Sequence, residues 1–448
     1  MKKIRLMKQY KKKRLKMTNE IFYIGAATAG HQVEGNNTNS DIWALEQMKY
    51  GGYPEKSLDA ADHYNRYKED IDLLKNAGLN AYRFSFEWAR IEPKEGEFCE
   101  KEMQHYLDVV NYCLSNDIEP IITLHHFASP KWLIERGGWE SEVAIEAFKR
   151  YTKYVAKNLA GLDIHYICTM NEANMGNLIS IFIRQAMEQR EKMEGEKSTL
   201  QIGLNLDEMR KEEEAKEKEN LEVFGTKVPA VFVSPRSPKG NQIIMKAHKA
   251  AVEIIHEILP DVKAGLSLSL RDVQAVPGGE QKALNDWHDE FEEFLPAIID
   301  DDFIGVQNYT RARFGAEGEL TPEEGAELTQ MGYEFYPEGL PNVIRRVHEA
   351  FKGEILVTEN GIATDDDSRR VEFIRRAFDG VKECIEDDIP VKAYMYWSLL
   401  DNFEWQSGYS MRFGLIGVDR ETKERKVKDS LSFLGSLKSN IKTEKSVC

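Results

Sequence analysis

The sequence predicts one closed parallel barrel of eight β/α units, the (β/α)8 TIM architecture, and three observations carry that expectation. Short runs rich in apolar and β-branched residues recur eight times, each followed by a helix-length amphipathic stretch. The runs are apolar almost throughout, as strands covered on both faces are. No G-x-G-x-x-G turn follows an early strand, whereas an open nucleotide-binding sheet with the same alternation would carry one.

In chain order the strands are expected at Ile21–Gly30, Leu79–Phe86, Ile118–Phe127, His165–Glu172, Lys263–Leu270, Asp302–Tyr309, Ile355–Gly361 and Val391–Leu400. After the first, His63–Ala77 carries Tyr64, Tyr67, Ile71 and Leu74 at three- and four-residue steps, which puts one apolar stripe on a helix. Met103–Leu114 repeats the pattern with Met103, Tyr106, Val109, Val110 and Cys113. The connection from Glu172 to Lys263 is far longer than a βα loop requires, making it an extended, partly helical insertion after the fourth strand. Its charge run Asp207–Glu222 reads as a solvated helix laced with i,i+4 pairs, or as a movable cover if it lies over the barrel mouth. Gly195-Glu196-Lys197-Ser198 looks like the end of a phosphate loop but lacks the earlier glycine and the Gly-Lys pair, and is set aside.

The 42% hydrophobic and 10% aromatic content of the 448 residues suffices for a large core. No apolar run approaches the roughly 18 residues of a membrane span, and mean hydropathy is -0.52. A net charge of -16 argues against a nucleic-acid partner and suits an uncharged small molecule. The basic residues are unevenly placed: Met1–Lys16 holds nine of them and no acid, with no apolar signal stretch behind it. Residues 1–16 therefore read as a solvated tail or as an over-long start upstream of Met17, 17–442 as a single catalytic barrel, and 443–448 as a C-terminal tail. Cys99, Cys113, Cys168, Cys384 and Cys448 are odd in number and form no C-x-x-C pair. They read as idle thiols of a reducing compartment, and the expected location is cytoplasmic.

In such a barrel, polar residues at the C-terminal ends of strands face the mouth. Two carboxylates occupy those places: Glu172, ending Thr169-Met170-Asn171-Glu172, and Glu359, in Val357-Thr358-Glu359-Asn360-Gly361. A charge directly behind a strand's apolar interior is costly unless it is paired or used. A carboxyl pair across the mouth suits glycoside hydrolysis, with a gap of about 5–5.5 Å for retention and about 6.5–9.5 Å for inversion. Taken alone, two glutamates bonded to arginines of the rim explain the pattern equally well. Arg83, in Tyr82-Arg83-Phe84-Ser85-Phe86, is a permanent cation able to keep a neighbouring carboxylate ionised. Trp397 through Trp405 sets three aromatic residues around Glu404, either a sugar platform or plain core. His125 and His126 are not read as joint metal ligands, because adjacent strand residues face opposite ways. Neither metal nor cofactor is expected.

Further motifs extend along the chain. Gly25-Ala26-Ala27-Thr28 is followed by Gln32-Val33-Glu34-Gly35, then by Asp62-His63-Tyr64-Asn65-Arg66-Tyr67-Lys68-Glu69-Asp70 and Asn80-Ala81-Tyr82-Arg83-Phe84-Ser85. Thr123-Leu124-His125-His126-Phe127, Gly137-Gly138-Trp139, Tyr336-Pro337-Glu338-Gly339-Leu340 and Arg412-Phe413-Gly414 complete the series. With these, the chain from about Phe22 to Leu437 resembles glycoside hydrolase family 1, the β-glucosidase family.

The resemblance implies a retaining β-glycosidase that works by double displacement, with Glu359 as nucleophile and Glu172 as acid/base. It implies Arg83 and Tyr309 as the groups holding Glu359 ionised. It also implies a sugar pocket in which Gln32, His126, Asn171, Glu404 and Trp405 meet ring hydroxyls above a Trp397 floor. The substrate class implied is a terminal, non-phosphorylated β-glucoside, with overlap onto β-galactosides and β-fucosides. Family members that act on 6-phosphorylated sugars replace the glutamate at 404 and carry lysine and tyrosine where this chain has Met411 and Phe413. A catalytically silent carbohydrate-binding barrel is the alternative from another class. The chain departs from the family pattern at Ala173-Asn174, where proline usually follows the acid/base, at Gln307-Asn308-Tyr309 and at Ala128-Ser129. The leaving-group site is expected on the Glu172–Lys263 connection and on Arg311–Met331.

Overall fold

The computed structural model describes residues 21–184 and 206–440. The basic segment Met1–Lys16, the stretch Gly195–Ser198 and the tail 443–448 lie outside the described residues. Eight parallel strands close a barrel: Tyr23–Ala27, Ala81–Ser85, Glu119–Thr123, Tyr166–Cys168, Lys263–Ser269, Phe303–Gln307, Glu354–Asn360 and Val391–Trp397. Each pairs with its neighbours in chain order, and the first closes on the eighth through Gly25 opposite Met395 and Ala27 opposite Trp397. Seven fall inside the predicted runs, and the seventh strand begins one residue early, at Glu354. The fourth is shorter than expected: ladder pairing stops at Cys168, and Glu172 lies beyond the last paired residue instead of ending the strand.

Side-chain alternation builds two apolar layers. Ala81, Ile121, Tyr166, Phe303, Leu356, Ala393 and Met395 meet inside the barrel, whereas Tyr82, Ile122, Ile167, Ile304, Ile355 and Tyr394 belong to the layer shared with the helices. An outer helix follows each strand: His63–Asn76, Glu100–Ser115, Val143–Leu159, Pro238–Ile258, Glu280–Glu290, Gly339–Ala350, Asp367–Glu386 and Asp429–Ser436. In the second of these, Met103, Tyr106, Val109, Val110 and Cys113 are all buried, as their spacing predicts. In the first, Ile71 and Leu74 are buried, but Tyr64 stays at the edge and donates to Glu102.

The charge run forms a helix, Leu206–Phe224. Lys218 and Glu222 make an i,i+4 pair at 3.9 Å, and Glu219 accepts the backbone N–H groups of Lys49 and Tyr50 at 2.8 and 2.9 Å. Phe224 is buried with Met48, Ile134 and Val231. The helix is thus docked on the barrel flank by its C-terminal end. None of the described candidate helices is long and apolar enough to cross a membrane.

Candidate active site

The ends of strands four and seven are shaped locally before any side chain is placed. Past Cys168 the backbone is stitched alternately to both neighbours: Thr169 N–H to Gly265 O, Asn171 N–H to His125 O, and Ala173 N–H to Ser267 O, at 2.8 to 3.0 Å. Glu172 takes a left-handed φ of 43°, an uncommon conformation for a side-chain-bearing residue and one that gathers at functional sites. In strand seven the register slips between Val357 and Glu359 against strand six, a bulge that re-aims the glutamate.

Asn174 fastens the turn after Glu172. Its amide donates to Ser269 O and Glu290 O at 2.7 and 2.9 Å, and its carbonyl oxygen accepts the Ser269 N–H at 3.0 Å. Arg236, buried, donates to Ala173 O at 2.6 Å and Phe232 O at 2.7 Å, and it lies against Gly176, where a Cβ would sit 2.7 Å from its Nη2. Hydrogen bonds therefore hold the turn where this chain lacks the expected proline.

Around Glu359 the bonds form one network. Arg83 Nη1 donates to Glu359 Oε1 and Nη2 to Asn171 Oδ1, both at 2.6 Å. Tyr309 Oη donates to Glu359 Oε2 at 2.6 Å. Gln307 Nε2 donates to Asn171 Oδ1 at 2.7 Å, so the residue that departs from the family pattern on strand six is built into the network. Because Arg83 only donates, the Asn171 oxygen must face it, and the Asn171 amide turns to His126 Nε2 at 3.1 Å. His126 then carries its proton on Nδ1. Burial and the nearby Arg83 charge hold it well below the ordinary histidine range, so it is neutral.

Three carboxyls share this end of the barrel. Burial first, then the charge of Glu359, pushes Glu172 up to about 8. Burial also raises Glu359, but Arg83 and the Tyr309 hydroxyl oppose it there, and among the described residues no cation is hydrogen-bonded to Glu172. Of the two, Glu359 ionises first. Glu404 is pushed up to about 7, by burial chiefly, while accepting Trp397 Nε1 at 3.2 Å and Gln32 Nε2 at 3.3 Å.

His126, Asn171, Glu172, Tyr309, Glu359, Trp397, Glu404 and Trp405 line one cavity of about 310 Å³. Two residues expected at the site stand one layer behind its wall. Arg83 is covered by Glu359 and Asn171, and Gln32, fully buried, reaches Glu404, Asn402 and Phe403 with its amide nitrogen. Trp397 and His126 are stacked with centroids 5.6 Å apart, and Trp405 stacks on His31 at 5.8 Å. His125 turns away from the cavity to Ser129 Oγ at 2.9 Å. Among the described residues, no group of three or more histidine, cysteine or acidic side chains is disposed to hold a metal.

The outer wall holds residues that sequence reasoning left unassigned: Tyr53, Met175, Ile179, Val233, Tyr333 and Gln406, with Met331. Met175, Ile179 and Val233 come from the long connection and Met331 from the segment after strand six, the two places where a leaving-group site was expected. Among the described residues, the charged helix contributes nothing to this wall. No periodicity marks such loop residues, so the two segments were visible beforehand but not which of their side chains face the cavity.

The profile of glycosyl hydrolase family 1 matches residues 15–190 and 305–443. A β-glucosidase of Agrobacterium sp. is 30% identical over 94% of this chain and 95% of its own length. A 6-phospho-β-galactosidase of Clostridium acetobutylicum is 26% identical over 92% and 94%. The crystal structure of the β-glycosidase BGL167 superposes with a TM-score of 0.84 at 41% identity, covering 95% of this chain and 97% of that one. Fold, cavity and likeness together establish that the chain belongs to glycosyl hydrolase family 1 and is a glycoside hydrolase acting on β-glycosides.

Proposed function

We propose that the protein is a retaining β-glycosidase that removes terminal, non-phosphorylated β-D-glucosyl groups. The observation that carries this reading is the unequal setting of two carboxyls in one cavity: Glu359 is bonded to a cation and a phenol, and Glu172 has neither. Two carboxyls whose environments push their proton affinities apart make an acid and a nucleophile.

Ionised Glu359 attacks the anomeric carbon as the bond to the leaving oxygen breaks, and protonated Glu172 gives its proton to that oxygen. Once Glu359 is an ester its charge is gone, so the second cause of the raised Glu172 value disappears and Glu172 becomes the base. A water loses its proton to Glu172 and attacks the same carbon, which releases Glu359 and restores the configuration. The Asn171 amide, aimed by Arg83 and Gln307, is offered to the sugar 2-hydroxyl, a contact that strengthens in the transition state. Glu404 and Trp405 serve hydroxyls farther round the ring, over Trp397.

The unphosphorylated class is supported by the wall itself. Among the described residues it holds Glu172, Glu359 and Glu404 and neither lysine nor arginine, so a phosphate dianion meets no cation there. The test is release of nitrophenol from an aryl β-glucoside by the parent and by Glu359→Gly, with and without azide. Turnover by the parent, loss in the variant and rescue to an inverted glycosyl azide support the assignment. A variant that keeps the parent rate overturns it.

A further inference from the structure

On the acid/base reading of Glu172 above, we propose that Arg236 is its positioning residue, fixing from behind the cavity wall the turn that aims the acid at the leaving oxygen. A left-handed φ of 43° at Glu172 persists only where its surroundings over-determine it. Ala173 is the first residue after it, and both of its backbone groups are tied. Its N–H donates to Ser267 O at 3.0 Å, and its C=O accepts Arg236 Nη1 at 2.6 Å. A proline here could not make the first of those bonds.

The slot around Arg236 is cut to its shape. A Cβ on Gly176 would lie 2.7 to 2.8 Å from Nη2, Cζ and Nε, and one on Gly240 would lie 2.5 Å from Cγ, so two glycines admit the side chain at head and stem. Nη2 donates to Phe232 O at 2.7 Å, and the guanidinium lies 5.0 Å from the Phe232 ring centre. The Arg236 backbone N–H meets Gly176 O at 3.1 Å and Ser180 Oγ at 2.6 Å, on the first turns of the helix spanning 175–184. One residue thus joins the turn after Glu172, that helix and the chain at 232–237.

Burial lowers Arg236 to about 9, which leaves it charged near neutral pH. The donors of a guanidinium are fixed in one plane, so the two carbonyls it holds set the spacing between Ala173 and Phe232. Phe232 in turn packs on His125 with centroids 4.5 Å apart, and His125 O accepts the Asn171 N–H at 2.8 Å. The anchor is therefore braced on the same strand-three end that holds the residue before the acid. Arg236 touches no reacting atom, and its loss is expected to act on the step that needs the acid.

The experiment compares ethyl β-glucoside, whose leaving alcohol must receive a proton, with 2,4-dinitrophenyl β-glucoside, whose leaving phenolate needs none. Misplacing a reacting group by about 1 Å can cost on the order of a hundredfold, so Arg236→Met is expected to lower the ethyl-to-dinitrophenyl ratio of kcat/KM by about tenfold or more. The ratio is taken within one preparation, which cancels any loss of folded protein. Gly176→Ala drives a methyl group at the guanidinium while suiting a helix, and is expected to lower the ratio several-fold. It decides the matter if Arg236→Met does not fold. Glu172→Gln is the reference for a lost acid. If it lowers the ratio while the Arg236 and Gly176 variants leave it unmoved, or reduce both rates alike, the positioning role is overturned and the acid/base assignment stands. A ratio unmoved in Glu172→Gln overturns both.

Discussion

Tyr309→Phe isolates one bond to the proposed nucleophile. The phenol donates to Glu359 Oε2 at 2.6 Å, while Arg83 holds the other oxygen, so the substitution removes one donor and keeps the ring and the cation. A hydrogen bond to a charged group contributes about 1.5–3 kcal/mol. At about 1.36 kcal/mol per factor of ten, its loss corresponds to roughly 10- to 150-fold in kcat/KM on the acid side of the profile. The direction follows from which form the phenol favours. It donates to the carboxylate, so without it Glu359 holds its proton to higher pH and the ionised fraction falls. The assay is kcat/KM against pH for an aryl β-glucoside, parent against variant. The acid limb is expected to move to higher pH and the two profiles to converge above it. An unmoved limb with a uniform loss at every pH refutes the reasoning, since Tyr309 would then act on the sugar and not on the ionisation of Glu359.

Two further outcomes follow from the same electrostatics. Glu172 must be protonated to serve the leaving oxygen, so kcat/KM is expected to fall as pH rises through about 8, and Glu172→Gln to lose that limb while harming an alkyl glucoside far more than a nitrophenyl one. Asp70 is held below the ordinary aspartate range: burial alone would raise it, but Arg425, bonded to both its oxygens at 2.7 and 2.8 Å, and His63 outweigh that. Its contribution to stability is therefore present above the unfolded value and lost as pH falls through the folded one. Asp70→Asn leaves a buried guanidinium uncompensated and is expected to cost about 3–5 kcal/mol near pH 7, read as a lower urea midpoint. The gap to the parent should narrow in acid; a gap that stays constant with pH would contradict the assignment.

The barrel was legible because its evidence is periodic. Eight apolar runs, each with a helix behind it, leave few ways to cover both faces of every strand, and every predicted run holds one barrel strand, with only Glu354 falling outside its run. Glu172 and Glu359 were legible for a related reason, as charges where an apolar strand gives way to the barrel mouth. Closure of the ring decided the rest. It set Arg83 behind Glu359 and Asn171 instead of in the open mouth, and it withdrew Gln32 to a place behind Glu404. It turned Gln307, a departure when read in line, into a donor to Asn171. It also brought Met175, Ile179 and Val233 onto one wall with Met331 and Tyr333, residues as much as 158 positions apart with no pattern linking them. Strand periodicity is a local property, imposed every second residue by the pleat, and can be read from the chain. Which loop residues face one another depends on how eight strands close into a ring, and that is settled only when the chain is folded.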